Sequence, residues 1–202
     1  MRKQIRNQAR RFSVLIPAAG VLALVATGLA LAAPTAPVSH VYPLRASLTP
    51  TTQTTPASAA KGHFDAVLVW SRGGPVVGPL PAGCINTVKP RSGLPNRITC
   101  DHGKLVITPS KTAGWTLYWI VSFSHLSGPA TSGDVHTSLA PSALQVTLFG
   151  TLGPKLTPAS GHVSVTSSQA KALLLGKDYA GINTAASKAS SEIRGTITSS
   201  AH

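Results

Sequence analysis

A chain of 202 residues that is 43% hydrophobic but only 11% charged and 5% aromatic has room for one domain with a modest core and a tail. So little charge sets it apart from typical cytosolic enzymes and from disordered segments, and fits an extracytoplasmic domain. The formal charge of +13 arises from missing acids, and the cations outside the N-terminus stand singly without aromatic neighbours, which argues against a nucleic-acid partner.

Arg2, Lys3, Arg6, Arg10 and Arg11 form a positive head, followed by the uncharged FSVLIPAAGVLALVATGLALAA with small residues at Ala30 and Ala32 ahead of Ala33. Residues 1–33 read as a secretory signal peptide. A second reading stands beside it: about 20 apolar residues cross a bilayer, so residues 12–33 could stay uncleaved as an inner-membrane anchor with the positive side in the cytoplasm. Apolar residues all round exclude an amphipathic core helix. Without the five head cations, the formal +13 falls to +8.

Asp65, Asp101, Asp134, Asp178 and Glu192 are all the carboxylates of the chain. Paired carboxylates lose their native interactions on protonation, so a chain with so few has little to lose in acid. Two readings follow: an acidic external medium, or an ordinary secreted Ala/Ser/Thr-rich protein of low charge.

Residues 34–60, PTAPVSHVYPLRASLTPTTQTTPASAA, are rich in Pro, Thr, Ser and Ala and are expected to be a disordered linker. The folded domain is expected over 61–198. HFDAVLVW (63–70) opens it as a strand. Cys84 and Cys100, an even pair in an exported chain, predict a disulfide, and the segment between them, with Pro90, Gly93 and Pro95, reads as a loop needing a clasp. His102 lies near Cys100, but a soft copper site would usually add a methionine, and the only one is Met1.

KLVITP (104–109) is the next strand. GWTLYWIVSF is the strongest, with Trp115, Leu117, Trp119, Val121 and Phe123 on a core face and Thr116, Tyr118, Ile120 and Ser122 on a face in partial contact with water. ALQVTLFG (143–150) and GHVSVT (161–166) are strands by alternation. SSQAKALLLG predicts one short helix, capped by Ser167 or Ser168 and stopped by Gly176 in the left-handed conformation. KDYAGINT and SEIRGTI finish the chain as strands, with Ile193, Gly195 and Ile197 sharing a face. Short strands, turn signals and one minor helix indicate a sandwich or barrel.

LSGPAT (126–131), with Gly128 and Pro129, then Asp134-Val135-His136, LQVTLFG, LLLGKDYAGINT with Tyr179, and the closing Glu192-Ile193-Arg194-Gly195 stand in the order and spacing of the chordin-like (CHRD) domain. From about His63 to Ile197 the chain resembles that family. The resemblance implies an immunoglobulin-like or dismutase-like antiparallel β-sandwich outside the cytoplasm, with no established enzymatic activity for bacterial members.

Glu192 and Arg194, two apart on a strand, are expected to pin the last strand by an ion pair or hydrogen bonds. Two positions depart from the family: Asp134-Val135-His136 stands where a His-x-His triplet is typical, and Asn183-Thr184 where His-Thr is common. Asp134 and His136 could still be two metal ligands on one side of a strand, with His125 and His162 as further candidates if folding brings them near. The other reading makes them polar residues at a sheet edge or turn.

No Gly-x-Ser-x-Gly elbow and no acid/base carboxylate spacing occur. The sequence therefore predicts an all-β sandwich with one short helix, acting without cofactor as a binding or structural module, periplasmic, secreted or at the cell surface. Its partner is an unidentified protein or envelope component, with membrane contact only through the N-terminal segment if that is uncleaved. The competing expectation is a dismutase-like or copper- or zinc-binding protein using Asp134 and His136.

Overall fold

The structure, a computed structural model, describes residues 39–51, 59–72, 76–87, 96–108, 110, 112–137, 140–150, 157–187 and 191–199. The expected signal or anchor, residues 1–33, lies outside them. In chain order the elements are β1 (Ser39–Pro50), β2 (Lys61–Ser71), β3 (Val76–Val77), β4 (Cys84–Asn86), β5 (Asn96–Cys100), β6 (Gly103–Ile107), β7 (Gly114–Ser124), β8 (Ala130–Thr137), β9 (Ala140–Phe149), β10 (Ala159–Val165), α1 (Ser167–Leu174), β11 (Asp178–Thr184), β12 (Ile193–Thr196) and β13 (Thr198–Ser199).

The strands run β10-β7-β2-β1-β12-β11-β8-β9, with β3 and β13 also on β1, and β4-β5-β6 form a separate small sheet. The ladders are antiparallel except the short β1–β3 contact. β1 divides the long path: it pairs with β2 from His40↔Trp70 to Leu48↔Gly62, then reaches β12 through Thr49↔Arg194 and Pro50↔Ile193. The two halves bury a common core in which Leu44, Phe64, Leu68 and Leu117 from the first meet Val135, Ile182 and Ile193 from the second. This is the antiparallel sandwich that the alternating runs predict.

β1 corrects the linker expected over residues 34–60. Its VYPLRASL carries Leu44, Ala46 and Leu48 at period two, all buried, a pattern obscured by Pro43 and Pro50. Pro43 sits where the second neighbour of β1 changes from β3, beside Ser39 and His40, to β13, beside Leu44 and Arg45. A missing N–H is tolerated at such a break in the ladder. Residues 52–58 of the same expected linker lie outside the described set.

The Cys84–Cys100 disulfide is formed, with an S–S distance of 2.08 Å, and joins residues directly opposite in the β4–β5 register. The segment it closes is thus not only a loop: its two ends are strands. Ile98, Cys100, Leu105 and Ile107 of the small sheet pack on Val41, Val67, Val69, Tyr118 and Ile120. The face of β7 expected to touch water is therefore largely covered. Gly103, at φ +146°, lets the β5–β6 turn press onto β7, since a Cβ there would stand 2.0 Å from Ile120 Cδ1.

The helix forms where expected, but Thr166 is its cap in place of Ser167 or Ser168. Its hydroxyl accepts from Gln169 N while the Gln169 side chain accepts from Thr166 N, a reciprocal capping box. Gly176 follows at φ +65°. Gly195 marks the place where β12 crosses β1, because a Cβ would lie 2.1 Å from the Ser47 carbonyl oxygen.

Candidate functional site

Strand β8 lies between β11 and β9, so Asp134 and His136 stand within a sheet and not at the edge or turn expected for them. Opposite them on β11 are Gly181 and Tyr179. The buried Asp134 carboxylate accepts from Ser132 Oγ at 2.7 Å and Asn183 Nδ2 at 2.8 Å, and Asn183 Nδ2 also donates to Ser132 Oγ. His136 stacks on Tyr179 with ring centroids 5.3 Å apart, and the Arg194 guanidinium lies over the same ring at 5.5 Å.

Asp134 and His136 thus share a face but serve separate partners. His162 is on β10, in the other half, stacked on Tyr118, and His125 is in the loop after β7. The fold does not collect the four around one point. Among the described residues no group of three or more His, Cys, Asp or Glu side chains is placed to hold a metal ion.

Glu192 precedes β12, is 1% exposed, and turns its carboxylate to the loop between β7 and β8. It accepts from Ser127 N at 2.7 Å, Ser127 Oγ at 2.7 Å and Thr184 Oγ1 at 2.6 Å. Hydrogen bonds to a charged acceptor are the stronger kind. Thr51 adds its own clasp, donating N–H to the Glu192 carbonyl and its hydroxyl to the Ser191 carbonyl. Glu192 and Arg194 therefore do not act as a pair: one binds inward to the loop, the other covers Tyr179 outside. The LSGPAT and EIRG motifs, 65 residues apart at Ser127 and Glu192, meet in one hydrogen-bonded joint.

The loop that carries Ser127 borders a cleft of about 470 Å³ lined by Phe123, Ser124, His125, Leu126, Gly128, Pro129, Ala130 and Thr157. The volume falls within the range of small-ligand sites, about 300–1,000 Å³. His125 stands at φ +58°, a left-handed conformation costing a non-glycine residue roughly 1–2 kcal/mol. Its Nδ1 is 3.1 Å from Ser124 Oγ, and Thr157 Oγ1 accepts from Phe123 N at 3.1 Å. Apolar Phe123, Leu126 and Pro129 with a few fixed polar groups form a surface suited to a mixed ligand.

Two further clusters escaped the sequence reading. His102, in the β5–β6 turn, places Nδ1 2.8 Å from Asp65 Oδ2 and stacks on His63 with centroids 4.2 Å apart and planes within 8°. Lone pairs in two nearly parallel rings do not converge, so this pair is a packing clasp and not a chelate. Asp178 is fully buried; Oδ1 accepts from Gln145 Nε2 at 3.0 Å, Oδ2 has no hydrogen-bond partner among the described residues, and burial pushes its pKa up to about 6. The spacing of the sequence gives no signal for either cluster, because both depend on elements brought together from distant parts of the chain.

No family model, curated protein or solved structure matches the chain.

Proposed function

We propose that the protein is an exported CHRD-like recognition module that binds an envelope or extracellular partner, without catalysis, through the cleft beside the Phe123–Ala130 loop. The observation that carries this reading is the buried Glu192 joint. A charged acceptor taken out of water is retained to hold the loop that lines the cleft, and a loop held in advance loses less entropy on binding. The disulfide supports an oxidising compartment.

The resemblance to the family gains support from a contact of its own. Asp134 and Asn183, the two positions that depart from the family's histidines, hydrogen-bond to each other across β8 and β11 at 2.8 Å. With Asp134 engaged by Asn183 and Ser132, and His136 stacked on Tyr179, the arrangement favours a structural remnant over a metal centre. The reading of an acidic medium is supported by Asp178, whose neutral form is the one suited to its buried position.

Substitution Gly128→Phe tests the cleft, because a Cβ at Gly128 meets nothing within 4 Å and the ring would occupy the space a ligand needs. Wild type and G128F, each expressed in the native cell and checked for fold by circular dichroism, are purified from the envelope under mild conditions. A partner recovered with wild type and lost with G128F supports the reading. Equal recovery with both would remove the cleft from the account.

A further inference from the structure

We propose that the outer face of the small sheet is a docking surface for an anionic lipid bilayer. The register places Ile85 opposite Thr99, Thr99 opposite Lys104 and Arg97 opposite Val106, so these five side chains share one face. The alternate residues Ile98, Cys100, Leu105 and Ile107 are buried against β2 and β7. Ile85 is 65% exposed and Val106 52% exposed, and with Leu175 they are the exposed large hydrophobic residues among those described. Two of the three therefore fall on this face, beside the exposed Arg97 and Lys104.

The charge around the face is mainly positive, the exposed Asp101 in the β5–β6 turn being the acid at its end. Asp65, Asp134, Asp178 and Glu192 are buried, leaving Asp101 as the exposed carboxylate, whereas every described Lys and Arg side chain is exposed. An aliphatic pair framed by cations, on a sheet held by the Cys84–Cys100 bridge, matches the boundary of an anionic membrane. Lys and Arg meet the headgroups there and the aliphatic groups enter just beneath. A soluble polyanion would use the cations and leave Ile85 and Val106 without a role.

The test is flotation of the full chain with neutral phosphatidylcholine vesicles and with vesicles containing phosphatidylglycerol, at low and at high salt. The quantity read is the excess binding to the anionic vesicles, which separates this face from any apolar segment that binds both kinds. Arg97→Glu with Lys104→Glu should lower that excess about tenfold at low salt. A control pair with the same charge change elsewhere, Lys61→Glu with Lys171→Glu, should lower it far less.

Ile85→Ser with Val106→Ser, which keeps every charge, should reduce vesicle binding severalfold while leaving binding to soluble dextran sulfate unchanged; it also answers the case in which the charge reversal disturbs the small sheet. Equal losses in the two Glu pairs, or vesicle binding indifferent to the Ser pair, would overturn the proposal.

Discussion

Asp178 offers the sharpest test of the interior. Its carboxyl is fully buried with one donor, Gln145, and its pKa is raised from 3.8 to about 6 by burial. At 1.36 kcal/mol per unit, a shift of about two units is worth roughly 3 kcal/mol. Above pH 6 the group is charged in both states and the folded state carries the whole cost. Between about 6 and 4 the folded chain binds a proton that the unfolded chain does not, so acidification through that window stabilises the fold; below it both states are protonated and the gain is complete.

Asp178→Asn keeps an acceptor for Gln145 and removes the charge. Urea unfolding followed by tryptophan fluorescence at pH 7.5, 6 and 4.5 should show wild type gaining on D178N by about 2 kcal/mol as pH falls, the remainder of the roughly 3 kcal/mol coming only below about pH 4. Taking the difference cancels the other titrating groups. Parallel curves for the two proteins would refute the argument that Asp178 is held charged at a cost.

Glu192→Ala removes the acceptor of the buried Thr184 hydroxyl and of the N–H and hydroxyl of the exposed Ser127, and should cost about 2–4 kcal/mol in denaturant unfolding, given about 1.5–3 kcal/mol for each bond to a charged acceptor and rescue of the Ser127 donors by water. Replacing Cys84 and Cys100 by Ser opens a bridge of sequence separation 16 and should lose about 3 kcal/mol on the chain-entropy account, measured as a fall in the denaturation midpoint. Gly195→Ala forces β12 away from the Ser47 carbonyl and should lower Tm by at least about 5 °C, whereas the same substitution at Gly128, where space is open, should leave Tm nearly unchanged.

Most of the sandwich could be read from short runs: GWTLYWIVSF and GHVSVT declare a face through local alternation, and HFDAVLVW reads as a strand from its apolar, β-branched run, which is buried on both sides. β1 could not, since prolines at 43 and 50 imitate a linker and only the three-dimensional gap between β3 and β13 shows why Pro43 is tolerated. The water-facing side expected for β7 failed for a related reason. Alternation reports how one strand divides its residues, and Tyr118 and Ile120 were hidden by a second layer built from the segment around the disulfide. At the site, the motifs LSGPAT and EIRG were visible as words, but their meeting through Ser127 and Glu192 depends on the path of β11 and β12. The His63–Asp65–His102 clasp likewise needs the β5–β6 turn laid on β2.

The scarcity of acids acquires a different meaning once they are located. A chain that used its few carboxylates as surface ion pairs would gain little, because exposed pairs contribute about 0–1 kcal/mol. Here Asp134 and Glu192 accept hydrogen bonds from Ser127, Ser132, Asn183 and Thr184, and Asp65 meets His102, so the acids are spent on internal joints. The exposed cations of the described residues outnumber the exposed carboxylates, of which Asp101 is one, although Arg45 lies opposite the buried Asp65 in the β1–β2 register. Such a surface repels its own copies and attracts anionic material over about 8–10 Å at physiological ionic strength. A module of this kind meets its anionic partner first through diffuse charge and only then through a shaped surface, so added salt should slow association more than it speeds dissociation.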